Sequence, residues 1–191
     1  MSNLYIKTEK QKKWLDKLQQ FEERFKSRSA EIDELSVFPM ENMKDLVGLG
    51  YASLTLPTEL GGEGFSVYDM VLMQETLASY DASTALSIGW SLGVVGELFE
   101  KKLWTEEKLD FFATEVLNGA LVNRSVSEAQ TGSPTRGGRP GKKKIKKGNT
   151  WVINGRKIFT TASPILSYFL TSAWIEEKEK VGFFLINRDL V

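Results

Sequence analysis

Near the N-terminus the apolar positions recur at helical spacing. Trp14, Leu18, Phe21 and Phe25 fall on one stripe, and Lys12, Lys13, Lys17, Glu22, Glu23 and Lys26 lie mostly off it, so residues 4–35 are expected to be helical. The polar face mixes both signs, which favours a helix packed on its own domain over one lying on a membrane surface. A second helix is expected over residues 39–47, stopping at Gly48 and Gly50. Residues 54–64 hold three glycines and a proline and read as a loop. Ser66 suits the N-cap of a helix through Val67, Met70, Val71 and Leu77. Asp81 or Ser83 caps the next, through Leu86, Trp90, Val94 and Leu98. Gly89, Gly93 and Gly96 share one face of it, as close packing of two buried helices requires. Thr105, followed by Glu106 and Glu107, opens a further helix that ends near residues 118–119.

Beyond Gly119 the period changes. Short β-branched and aromatic runs follow: Leu121 and Val122, Val126, residues 151–153, 158–161, 168–175 and 181–186. Gly148-Asn149, Asn154-Gly155 and the charged run 176–180 punctuate them. The expected fold class is α+β. Residues 1–118 form an all-helical N-terminal domain, and residues 119–191 form an antiparallel, barrel-like middle β domain. The β part ends in mid-pattern at Asp189-Leu190-Val191, and a sheet of that size wants a partner surface. The chain is therefore expected to be the front portion of a larger architecture.

Composition narrows the chemistry mainly by what is missing. The 191 residues include no His and no Cys. That excludes Ser–His and Cys–His pairs, disulfides and His- or Cys-ligated metal sites, so no metal site is expected. Carboxylate chemistry, hydroxyl and backbone binding, or chemistry borne by a cofactor remain. Lys plus Arg and Asp plus Glu both number 25, which argues against a dedicated nucleic-acid binder. The charge is uneven, however. Residues 51–100 hold seven acids and no Lys or Arg, whereas residues 101–150 hold eleven basic residues against five acidic. A local anion site or a subunit contact would fit that contrast. No basic, then apolar, leader is visible, and the run 85–99 is interrupted by Ser87, Ser91 and Glu97. A soluble cytoplasmic protein with no membrane partner is expected.

Two glycine patterns fail on inspection. Gly48-Leu49-Gly50 lacks the third glycine of a dinucleotide fingerprint and follows a helix where a strand is needed. Residues 132–139 have P-loop glycine spacing, but Gly138 and Arg139 stand where Lys and Ser/Thr must be. Residues 127–149 still gather hydroxyls and flexible backbone suited to pyrophosphate or ribityl oxygens. The alternative is an ordinary hairpin connection. The lysine-rich run 142–147 reads as an anion contact or as a solvated strand edge.

Five segments in order resemble acyl-CoA dehydrogenases. They are Leu-Thr-Leu-Pro-Thr-Glu-Leu-Gly-Gly-Glu-Gly (54–64), Asp-Ala-Ser-Thr-Ala-Leu (81–86), Val-Ser-Glu-Ala-Gln-Thr-Gly-Ser-Pro (126–134), Val-Ile-Asn-Gly-Arg-Lys-Ile-Phe-Thr-Thr (152–161) and Phe-Leu-Ile-Asn-Arg-Asp (184–189). The resemblance implies a helical domain, a middle β domain and, beyond this sequence, a helical bundle supplying the catalytic carboxylate. It implies FAD and α,β-dehydrogenation of an acyl-CoA or related thioester, with hydride transfer to flavin N5. It also implies fatty acid metabolism, reoxidation by an electron-transfer flavoprotein, and a homo-oligomer. Carried across by position, Val126 and Ser127 contact the flavin ring. Gly132 and Ser133 lie near the cofactor phosphates, and Ser133 near the acyl-CoA. Phe159, where a Trp is usual, packs on the isoalloxazine, with Thr160 beside it, and Thr161 hydrogen-bonds the flavin. Ala129, Thr131, Pro134 and the stretch 136–141 depart from the family pattern. No catalytic residue is expected within the chain, so by itself it should be inactive and bind FAD weakly or not at all. It should also expose apolar surface on the helix bearing Gly89 and Gly96, and near Phe159 and Tyr168. Two alternatives stay open: a flavin-dependent monooxygenase or oxidase on the same fold, and a non-catalytic anion-binding or assembly module.

Overall fold

The computed structural model describes residues 5–130, the backbone of 144–147, and 150–191. The chain divides into two compact units, Met1–Leu121 and Val122–Val191.

The first unit is helical. α1 (Glu9–Gln19) starts at a capping box in which Thr8 and Gln11 satisfy each other's backbone donors. The expected long helix over 4–35 breaks at Gln20 and Phe21, and α2 (Glu22–Glu34) follows. The stripe itself holds: Trp14, Leu18 and Phe25 are buried, which supports packing on the domain. α3 (Met40–Gly48) ends before Gly50, whose φ of 81° is left-handed. α4 (Val67–Tyr80) opens on a second capping box, Ser66 with Asp69. α5 (Ala82–Glu100) is capped by Asp81, which accepts the Thr84 amide at 2.6 Å. α6 (Glu106–Leu117) ends at Gly119, with φ 90°.

α5 is long and apolar enough to cross a bilayer, with mean hydropathy 1.2, yet ten of its residues are buried in this unit. Hydrogen bonds from the preceding helices reach Thr84 and the Ala85 carbonyl in its first turn. Asn42 donates to the Thr84 hydroxyl at 3.0 Å and accepts from Arg28 at 2.9 Å, and Arg28 also pairs with Asp45. The Tyr51 hydroxyl donates to Gln74, which donates in turn to the Ala85 carbonyl. Burial without a nearby charge pushes the Tyr51 phenol far up.

The second unit holds two sheets among the described residues. One has the order β1 (Val122–Ser125), β4 (Tyr168–Ile175), β5 (Lys180–Asn187), and the other pairs β2 (Lys144–Lys147) with β3 (Thr150–Ile153). β4 and β5 form the expected antiparallel hairpin, with Glu179 left-handed in its turn. β2 and β3 are antiparallel too. β1 departs from the expectation: it runs parallel to β4, Val122 opposite Tyr168 and Ser125 opposite Thr171. The reason is topological. The β2–β3 hairpin is excluded from this sheet, so the chain returns beside β1 in its original direction, as a long crossover permits.

A second correction concerns residues 158–161, expected to be a strand. They form no ladder, because Phe159 (φ 58°) and Ala162 (φ 63°) are left-handed and break extended backbone on both sides of Thr160 and Thr161. Apolar surface is expected on the strand face near Phe159 and Tyr168; Phe159 is exposed, whereas Tyr168 itself is buried on β4.

Candidate functional site

The segment 157–161 is tied to β1 and its continuation by four successive bonds. Asn123 Nδ2 donates to the Thr161 carbonyl at 3.0 Å. The Ser125 and Thr160 hydroxyls share a hydrogen bond of 2.9 Å. The Ile158 amide donates to the Ser127 carbonyl at 2.9 Å. Lys157 Nζ meets Glu128 Oε1 at 2.6 Å, in an ion pair whose side chains are only 13% and 10% exposed. Phe159, in the middle, has no such tie. Its ring is 88% exposed, so it is not part of the core.

The next turn is held from the other side. The Arg188 amide donates to the Ser167 carbonyl at 2.9 Å, and its guanidinium reaches the carbonyls of Leu166 and Ser163. Arg188 also lies over the Phe169 ring, 5.5 Å from the centroid. Thr171 on β4 donates to the Ser125 carbonyl at 2.7 Å, fixing β1 in register. These elements enclose a cavity of about 430 Å³ whose wall includes Ser125, Glu128, Lys157, Phe159, Thr160 and Thr171.

Of the residues singled out by sequence, Phe159 and Thr160 line this cavity. Val126 and Ser127 sit half-buried just past β1, outside its lining, and Thr161 sits half-buried in the turn after Phe159. The Ser127 and Thr161 hydroxyls have no hydrogen-bond partner among the described residues. The Thr160 hydroxyl, by contrast, is spent on Ser125. Gly132 and Ser133 lie outside the described residues, as do Lys142 and Lys143 of the basic run. Among the described residues, no group of three or more acidic side chains could hold a metal ion.

Sequence reasoning missed the Glu128–Lys157 pair, although both residues stand inside the quoted segments. The available signal was that Glu128, the one charge in its hydroxyl-rich stretch 126–134, needs a cation once buried. Asn123, Ser125 and Arg188 gave no such signal, because their partners are backbone atoms or depend on the parallel register.

The family model for the acyl-CoA dehydrogenase N-terminal domain matches residues 8–108. The YdbM protein of Bacillus subtilis (strain 168), named as a candidate acyl-CoA dehydrogenase, is 52% identical over 187 residues, covering 98% of this chain and 49% of that protein. Cyclohexane-1-carbonyl-CoA dehydrogenase of Syntrophus aciditrophicus (strain SB) is 31% identical over 194 residues, covering 97% of this chain and 50% of its own length. Among solved structures, butyryl-CoA dehydrogenase from Megasphaera elsdenii superposes with TM-score 0.82 at 22% identity, over 95% of this chain and 49% of that one. KijD3, solved in complex with FMN and a dTDP-linked amino sugar, superposes with TM-score 0.82 at 24% identity, over 95% of this chain and 45% of its own. The chain belongs to the acyl-CoA dehydrogenase family. It spans about half the length of the curated relatives it matches.

Proposed function

We propose that this chain contributes the flavin-facing half of an FAD-dependent acyl-CoA dehydrogenase. The observation that carries the reading is Phe159: an aromatic ring turned outward on left-handed backbone, fixed on both flanks. The donor set around it suits a flavin. An exposed aromatic face matches a planar ring, and the unengaged hydroxyls of Ser127 and Thr161 match its polar edge. Val126, Ser127, Phe159 and Thr161 would hold the ring, with Gly132 and Ser133 assigned to its phosphates by motif. Bound there, FAD supplies a hydride acceptor for an acyl thioester that loses its α-proton to a carboxylate.

The chain's own residues bind, orient and exclude water. Ile186 and Phe169 give the cavity wall apolar surface, while the Glu128–Lys157 pair keeps its charges internally satisfied. A cytoplasmic homo-oligomer that passes electrons to an electron-transfer flavoprotein follows from the same family resemblance. Acid extraction of the protein purified at its natural length, followed by chromatography, tests the cofactor. FAD is the expected flavin. Folded protein that yields FMN alone would overturn the choice of FAD, and folded protein that yields no flavin would overturn the reading itself.

A further inference from the structure

We propose that Lys157 and Glu128 are positioning residues: their ion pair locks segment 157–161 onto β1 so that Phe159 is presented outward as a rigid aromatic platform. The inference rests on the flavin reading for what the platform receives, but not for the lock itself. Phe159 occupies a backbone region that a bulky L-residue avoids, and it persists only where the surroundings over-determine it. The surroundings do so here. The bonds run in sequence, 161 to 123, 160 to 125, 158 to 127 and 157 to 128, and skip only residue 159.

Three of these ties are neutral hydrogen bonds, and the fourth is ionic. At 2.6 Å and nearly out of solvent, it is in the range where charge-assisted bonds exceed neutral ones. It also stands two residues from Phe159, at the end of the segment that no turn or strand secures. The opposite end has the Ala162 turn and the Arg188 contacts behind it. Thr160 belongs to the lock as well, since its hydroxyl faces Ser125.

The test uses the protein at its natural length, with hydrogen exchange and flavin occupancy read in parallel. Lys157→Met leaves Glu128 without its cation, so the paired replacement Glu128→Gln with Lys157→Met is made beside it. Both should raise amide exchange at 158–161 by about tenfold or more, while β4 and β5 keep their protection. Lys157→Arg should restore protection. Flavin occupancy should fall in step, and adding Phe159→Ala to the paired replacement should lower it little further, because both changes act on one platform.

Unchanged exchange at 158–161 in both variants would overturn the lock. So would loosening spread evenly over β4 and β5, which marks a merely structural pair. Full additivity with Phe159→Ala would overturn the assignment to Phe159. If the parent protein retains no flavin, the flavin reading fails, and the exchange data alone still decide the lock.

Discussion

At the scale of single residues, Phe159 separates binding from stability. Truncating a core aromatic costs about 3–5 kcal/mol, but Phe159 is exposed, so Phe159→Ala should change stability by no more than about 0.5 kcal/mol. Phe159→Gly should match or exceed the parent's melting temperature, since left-handed backbone costs an L-residue about 1–2 kcal/mol and glycine almost nothing. Both changes should reduce flavin retention by about tenfold, as loss of a stacking surface does. Calorimetry beside flavin extraction checks this, and a large drop in melting temperature for Phe159→Ala would return the ring to a packing role. Asp81 gives a pH prediction. Burial pushes its carboxyl up, but hydrogen bonds from Ser83, Thr84 and Ser29 outweigh that and hold it below the usual carboxylate range. A depressed folded pKa stabilises the protein above the unfolded value of about 3.9, and that contribution is lost as pH falls through the folded value. Asp81→Asn keeps a capping side chain but cannot titrate, so denaturant midpoints should fall less steeply for it than for the parent between about pH 5 and 2. Identical slopes would refute the assignment. The Asp81 cap was legible because capping is local. The Glu128–Lys157 pair was not, since nothing within either segment says that 29 residues later the chain returns to the same spot.

At the scale of elements, the glycines of α5 are not equivalent, and their shared spacing concealed it. A Cβ at Gly89 would lie 2.3 Å from Gln74 Nε2, and Gln74 is engaged by both Tyr51 and the Ala85 carbonyl. A Cβ at Gly93 would meet nothing within 4 Å. Gly93→Ala should therefore stabilise the chain by about 1 kcal/mol through helix propensity, whereas Gly89→Ala should destabilise it by breaking the Tyr51–Gln74–Ala85 chain. Urea melts of the two variants decide the point, and equal shifts would show that propensity alone governs both. Helix existence was readable from apolar spacing and caps throughout the first unit. The single helix expected over 4–35 failed at Gln20 and Phe21, because periodicity continues across a break that keeps the same face inward. Strand pairing was less readable. β1, Val-Asn-Arg-Ser, has no apolar–polar alternation, and its parallel partner is fixed by tertiary contacts such as the Thr171–Ser125 bond rather than by its own four residues.

At the scale of the whole molecule, the change of period near Gly119 and the two compact units, dividing after Leu121, describe the same chain. The family was legible because its segments are local and ordered, whereas the site was only half legible because its supports are long-range. The apolar surface expected on α5 is present at Leu86 and Trp90, both more than half exposed, and in the second unit Phe159 is more exposed than Phe183 or Trp151. The same geometry bears on activity. Removing an α-proton needs a base, and the chain has no His. Glu128, the carboxylate in the wall of the β-unit cavity, is held by Lys157 at 2.6 Å and does not face a substrate as a poised base. Loss of a general base costs about 10²–10⁴ in rate. These 191 residues by themselves should therefore not dehydrogenate acyl-CoA thioesters, even where FAD is supplied in excess. Anaerobic mixing of the chain with FAD and a panel of acyl-CoAs, following flavin absorbance, makes the comparison with a flavin-only control. Bleaching at the control rate is expected. Faster bleaching would place a working base among these residues, and if Glu128→Gln then abolished it, the ion pair with Lys157 would have to open during turnover rather than serve as a fixed lock.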